Sequence, residues 1–221
     1  MGLLLLIILA ILPISERLVY SAKYGILPAG EIRMEINKGL DGYYCIKVTQ
    51  ETKGLFSYFF RIQDMYQSCI DTISLSSVKF EKHIRQGRYK YDQVVFFDQE
   101  RGIAIYDDGD TVDIVPEAKD IISIIYYIRT LPLESKDRIY LNVHADKHNY
   151  TIPVDIDKVR LDNKECFRVR PHLENIKVFG RKGGLLLYYT NDSDRVPILL
   201  KIKMFWGYIQ ATLRARESPS S

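Results

Sequence analysis

Acids and bases nearly cancel, cysteine is scarce and long apolar runs are almost absent, and each shortage closes a class of function. Thirty-one Lys and Arg against 28 Asp and Glu leave a formal charge of +3 with the signs interspersed. No basic stripe follows a phosphate backbone, so nucleic acid is not an expected partner. The three cysteines, Cys45, Cys69 and Cys166, stand at spacings unlike a zinc motif. None follows the N-terminal apolar run closely, so no lipid-attachment cysteine is expected. Gly-x-Ser-x-Gly does not occur, and the glycine-rich stretch 180–184 lacks the Gly-Lys-Ser/Thr ending of a phosphate loop and reads as a basic hairpin turn. No repeat, linker or low-complexity tract precedes residues 217–221, which read as a disordered tail. Metal and cofactor are both expected to be none.

What is present begins with ten apolar residues, 3–12, followed by Pro13, Ser15, Glu16 and Arg17. A membrane helix needs about 20 apolar residues, so this run reads as an export signal occupying residues 1–15. A cut after Ser15 is favoured over one after Ala22, and a retained anchor is the alternative. The remaining chain, 16–216, is long enough for one core and reads as a single domain. Sixteen Tyr and nine Phe favour half-buried pleated surfaces.

Ile32, Met34 and Ile36 alternate with charged neighbours, which is the period of a strand with one wet face. A turn at Asp41-Gly42 leads into Tyr44, Ile46 and Val48. Phe56, Tyr58 and Phe60 continue the alternation as the next strand, and Tyr89, Tyr91 and Phe97 lie on a later one. Further alternating segments cover 139–145, 150–156, 166–170, 185–190, 196–205 and 208–214. About a dozen short strands with tight turns argue a mainly β fold, a curved antiparallel sheet forming a half-barrel or open barrel. With residues 43–50, 56–63 and 66–72 as a meander, Cys45 and Cys69 fall two strands apart, roughly 10 Å. That exceeds the roughly 7 Å reach of a disulfide, so none is expected between them.

One segment has helical period. Ile121, Ile124, Ile125, Ile128 and Leu131 share a face, Asp120 suits an N-cap and Pro132 a stop, so a helix spans about 120–131. Its apolar breadth needs a partner, and the concave side of the curved sheet supplies one.

Other chemistry-bearing residues read as structural. The acidic stretch 107–117 lacks the spacing of a calcium loop and reads as a turn. His144 and His148 flank a turn and read as surface histidines, and Cys166 reads as packing. Rings left uncovered by the helix would line an apolar cleft. The candidate ligand residues are Phe56, Tyr58, Phe60, Tyr89, Tyr91, Ile125, Tyr127, Ile128 and Arg129, the last facing an anionic headgroup.

Three motifs in order carry a resemblance: Tyr24-Gly25 with Ala29-Gly30-Glu31; Asp120-x-x-Ser123-x-x-Tyr126-Tyr127-x-Arg129; and Asp192, Val196-Pro197 and Gly207 around the last hairpin. The chain resembles, over nearly all of its mature length, a family of exported bacterial proteins catalogued only as a domain of unknown function. The resemblance implies the periplasm of a Gram-negative bacterium and a curved antiparallel sheet. It carries no catalytic residues, and Asp120, Ser123, Tyr127 and Arg129 read chiefly as capping and docking positions. By analogy of fold, it points to the half-barrels that carry lipids and lipoproteins. Together these readings give a non-enzymatic binder of a lipid or lipoprotein acyl chain, touching the membrane only through the signal segment or transiently. The alternative is an envelope protein–protein interaction module with a filled core.

Overall fold

Alternation of period two becomes strand almost throughout the computed structural model, which describes residues 12–39, 41–173, 177–178, 181–182, 184–204 and 207–218. The first arm comprises β1 (Ser15–Tyr24), β2 (Leu27–Lys38), β3 (Tyr43–Thr52), a short helix α1 (Phe56–Phe59), β4 (Gln63–Asp71), β5 (Ser77–Gln86), β6 (Tyr89–Asp98), β7 (Ile103–Tyr106) and β8 (Thr111–Asp113). The helix α2 (Ser123–Arg129) and a 3-10 turn at Leu133–Ser135 lead into β9 (Arg138–Ala145), β10 (His148–Leu161) and β11 (Lys164–Pro171). A small ribbon of β12 (Lys177–Val178) and β13 (Arg181–Lys182) precedes β14 (Leu185–Thr190), β15 (Pro197–Met204) and β16 (Gly207–Glu217).

Fourteen strands form one open antiparallel sheet, ordered β8-β7-β6-β5-β4-β3-β2-β1-β16-β15-β14-β11-β10-β9. The first and last strands meet in the middle, and the two arms curl away from that seam. The inward residues of both arms, such as Leu18, Met34, Ile46, Val154, Val169 and Leu187, join one apolar core with α2 in it. Among the described residues the edge strands β8 and β9 do not pair with each other, but a strap lies between the arms. Ala118 accepts from Ser77 N of β5, while Lys119 exchanges backbone hydrogen bonds with Asn142 and His144 of β9. This strap feeds α2 into the concavity.

Consecutive connections alternate between the two ends of the sheet. At one end, Lys53 N donates to Ala29 O and Gly87 N to Arg61 O, joining the start of β2, the α1 connection and the β5–β6 turn into one rim. At the other, Lys38 N donates to Ile14 O and Thr72 N to Gly42 O. The N-terminal end of the described chain, with Leu12 buried, sits at this second end.

Three expectations are corrected. Residues 56–60 are not a strand: Ser57 N and Oγ donate to Gly54 O and Tyr58 N to Leu55 O, which winds this segment into α1. With that strand gone, β3 and β4 are neighbours, Cys45 faces Cys69 at a Cα separation of 4.1 Å, and the two form a disulfide. The helix covers 123–129 rather than 120–131. Its last bonds, from Thr130 N to Tyr127 O and from Leu131 N to Ile128 O, tighten to i→i+3, as helix ends do when a proline follows.

Candidate functional site

The inward faces of β4, β5 and β6 reach farther than α2 can cover, and the uncovered part is a cleft of about 390 Å³. Tyr66, Phe80, Ile84, Val95 and Phe97 form its apolar wall, Tyr89 and Tyr91 stand toward the rim, and Ile121 lines it just before α2. The period of two explains the wall: odd positions of β6 from Tyr89 to Phe97 share one face, as do Phe80, Lys82 and Ile84 of β5. Lys82 is the charged member of that face. Its ammonium contacts Asp146 of the β9–β10 turn at 2.8 Å and lies 5.1 Å from the Tyr91 ring centroid. Gln93 also faces inward and donates to the Tyr91 hydroxyl at 2.8 Å.

Opposite stands His144, which the turn-flanking position marks as a surface residue but which is buried under the strap. Its Nε2 is 2.8 Å from the Tyr106 hydroxyl and its Nδ1 2.8 Å from Asn149 Oδ1. Asn149 Nδ2 donates to Asp113 O, so Oδ1 faces the ring and Nδ1 carries the proton. Nε2 then accepts from Tyr106, whose oxygen accepts in turn from Lys147 N. Burial lowers the His144 pKa, against a smaller opposing effect from Asn149, and pushes that of Tyr106 up to about 12. The imidazole is neutral and fully engaged.

Asp120 sits in the inner wall with both oxygens occupied. Oδ1 accepts from Ile122 N and Ser123 N, capping α2, and Oδ2 accepts from Ser68 and Ser77 at 2.6 and 2.7 Å. Burial raises its pKa, with the four hydrogen bonds opposing. This arrangement docks the helix start onto β4 and β5. Among the described residues no group of three or more His, Cys, Asp or Glu could hold a metal ion.

Of the candidate ligand residues, only Tyr89 and Tyr91 line the cleft. Ile125 and Ile128 are buried in the core beneath it. Tyr127 is half-buried with the Lys119 ammonium 4.2 Å from its ring centroid. Arg129 does not face a headgroup: with 2% of its surface exposed, it makes a two-pronged ion pair with Glu16 of β1 at 2.6 and 3.2 Å. Tyr58 and Phe60 stand exposed on the rim, and the side chain of Phe56 lies outside the described residues. Lys82, Gln93 and the His144–Tyr106 pair were missed, although a lysine on the apolar face of Phe80 and Ile84 was a readable signal.

The motif residues make contacts that hold the fold. A Cβ on Gly30 would lie 2.0 Å from Glu51 O, so only glycine lets β2 approach β3 there. Glu31 pairs with Arg33 and Lys53. Asp192 Oδ1 accepts from Thr190 Oγ1, Asp194 N and Arg195 N, forming the β14–β15 turn, and Pro197 O accepts from the buried Tyr20 hydroxyl.

An open antiparallel β-barrel-like sheet around one capped helix, with a cleft between them, defines the class of this protein. The model of the family described as "Protein of unknown function (DUF3108)" matches residues 19–214, and the chain belongs to that family. Among solved structures it is similar to a beta-barrel-like protein of the domain of unknown function DUF1849 from Brucella abortus. The TM-score is 0.64 at 8% identity, over 94% of this chain and 99% of that one, which shows a shared fold. No curated protein matches the chain.

Proposed function

We propose that this protein is a non-enzymatic periplasmic carrier that holds an apolar or amphipathic ligand, a lipid or lipoprotein acyl chain, in the cleft between β4–β6 and the start of α2. The cleft carries this reading: about 390 Å³ of space has an apolar wall of Tyr66, Phe80, Ile84, Val95 and Phe97 and a polar one that includes Lys82, Gln93, His144 and Asp146. That volume falls in the range of about 300–1,000 Å³ usual for small-molecule sites. Apolar walls select a hydrocarbon chain. Lys82 supplies the cation for a carboxylate or phosphate head, which would displace Asp146 from it. The Cys45–Cys69 disulfide supports the periplasmic setting, since such bonds persist in oxidising compartments. Residues 1–11 of the signal lie outside the described residues. A cut after Ala22 would remove the buried Glu16, Leu18 and Tyr20, whereas a cut after Ser15 keeps all three.

The test is uptake of a fluorescent fatty acid. Ile121→Trp fills the cleft from its half-exposed inner wall and abolishes uptake, while Lys82→Gln weakens binding of the fatty acid but not of the matching fatty alcohol. Unchanged uptake by a folded Ile121→Trp protein removes the cleft from the account. The second reading, an envelope interaction module, draws on the packing of α2, which fills the rest of the concavity with Ile122, Ile125, Tyr126 and Ile128.

A further inference from the structure

Cations and exposed apolar side chains gather on one part of the rim where the cleft opens. The β7–β8 and β9–β10 turns at this end carry Asp107, Asp108, Asp110 and Asp146, and three further turns stand beside them: residues 23–28, 53–62 and 86–91. These three contain Lys23, Lys53, Arg61, Arg88 and Lys90 and not a single acid. The turns at the other end are acidic or mixed, with Asp41, Asp98 and Glu100, Asp162, and Asp192 with Asp194. Large apolar side chains crowd the same three turns, whereas Ile14 and Ile73 stand out singly at the other end. Ile26 is 92% exposed and Phe59 82%, and Leu27, Leu55, Tyr58 and Phe60 stand out beside them.

These residues form one surface. The hydrogen bonds from Lys53 N to Ala29 O and from Gly87 N to Arg61 O hold the three turns side by side, and Leu27 and Pro28 share a hollow of about 720 Å³ with Leu55 and Phe59. Lys53 is engaged by Glu31 and Glu51. Lys23, Arg61, Arg88 and Lys90 are exposed and make no ion pair among the described residues. Exposed apolar rings inside a ring of unpaired cations are costly in plain water. They match the layered chemistry of a lipid interface, where aromatic and aliphatic tips enter the acyl boundary and cations meet anionic headgroups.

We infer that this rim docks on an anionic lipid surface, with Ile26, Leu27, Leu55, Tyr58, Phe59 and Phe60 as the inserted tips and Lys23, Arg61, Arg88 and Lys90 as the headgroup contacts. Docking in this orientation turns the cleft mouth, at Tyr89 and Gln86, toward the membrane. The inference does not require the carrier reading, since none of these tips and cations lines the cleft.

The full chain has its own apolar N-terminus, so the test must report on the rim alone. Residue 12 lies at the opposite end, and this separates the two. Tyr58→Cys and Glu100→Cys are each labelled with an environment-sensitive dye, the native cysteines being a disulfide and a buried thiol. With vesicles of phosphatidylglycerol and phosphatidylcholine, the label at position 58 shifts to the blue and the label at position 100 does not. Arg61→Gln combined with Arg88→Gln weakens this partitioning about 25-fold, about fivefold per cation, and added salt does the same. A shift at position 100 without one at 58, or an equal, salt-insensitive shift on pure phosphatidylcholine, overturns the inference. So does a shift at 58 that needs no vesicle and grows with protein concentration, which would make the rim a contact between copies. A shift produced by a protease-sensitive extract but by no vesicle would make it a protein interface.

Discussion

Replacing Arg129 with Met should unfold this protein more readily than any surface change, because the arginine ties three parts of the fold together. Its guanidinium bonds Glu16 of β1 through two prongs and donates to Asp194 O in the β14–β15 turn, while its own carbonyl accepts from Arg195. Both side chains of the pair are almost wholly buried, at 2% and 0% exposure. Removing one member of a buried pair costs about 3–5 kcal/mol, since the other is left charged in a poor solvent. Here Arg216 still reaches Glu16 at 2.8 Å, which places the expected loss near the lower bound, about 3 kcal/mol. Equilibrium urea unfolding without reductant should show that loss in the midpoint at unchanged slope, with a fall in Tm of about 6–12 °C. The double variant Glu16→Leu/Arg129→Met leaves no orphaned charge in the pair and should recover most of the loss. A cost for Arg129→Met below about 1 kcal/mol, or a double variant no better than the single, would refute the reasoning.

Reducing the Cys45–Cys69 disulfide, which closes a separation of 24 residues, should cost about 3 kcal/mol by chain entropy, read from urea midpoints with and without reductant. Gly30→Ala should cost about 2 kcal/mol or more by forcing β2 away from Glu51 O, with faster amide exchange along the β2–β3 ladder than elsewhere. Because burial depresses the His144 pKa, its contribution to stability is present above the ordinary value of 6.5 and is lost as pH falls through the folded value. Stability should therefore decline from neutral pH toward pH 5 more steeply in the native protein than in His144→Gln, and equal slopes would exclude this histidine as the cause.

The open sheet was legible because its strands carry one buried face each: Met34 and Ile36 of β2 and Ile46 and Val48 of β3 are all buried, as their alternation requires. The helix was legible in place but not in length, since the capping residue Asp120 stands three residues before the first regular turn at Ser123. Phe56, Tyr58 and Phe60 misled because alternation alone cannot separate a half-buried strand from an exposed aromatic turn. Gly54, at φ 62°, starts a helical turn there. That single misplacement also hid the disulfide, since one strand too many stood between two cysteines that face each other. Arg129 was legible as a motif position but not as a buried ion, because its partner Glu16 lies 113 residues away. The cleft was half legible: Tyr89 and Tyr91 follow from the period of β6, whereas His144 is buried only by the strap from Ala118 and Lys119, a contact that no local pattern encodes.

The central claim, that the cleft holds an amphipathic ligand, is tested most directly by native mass spectrometry of the protein purified from a bacterial envelope without detergent, followed by organic extraction. The account predicts a stoichiometric adduct that is released as a lipid or acyl compound and is missing from Ile121→Trp protein prepared in the same way. A clean apo mass for the native protein, or an adduct retained unchanged by the Ile121→Trp variant, would contradict it.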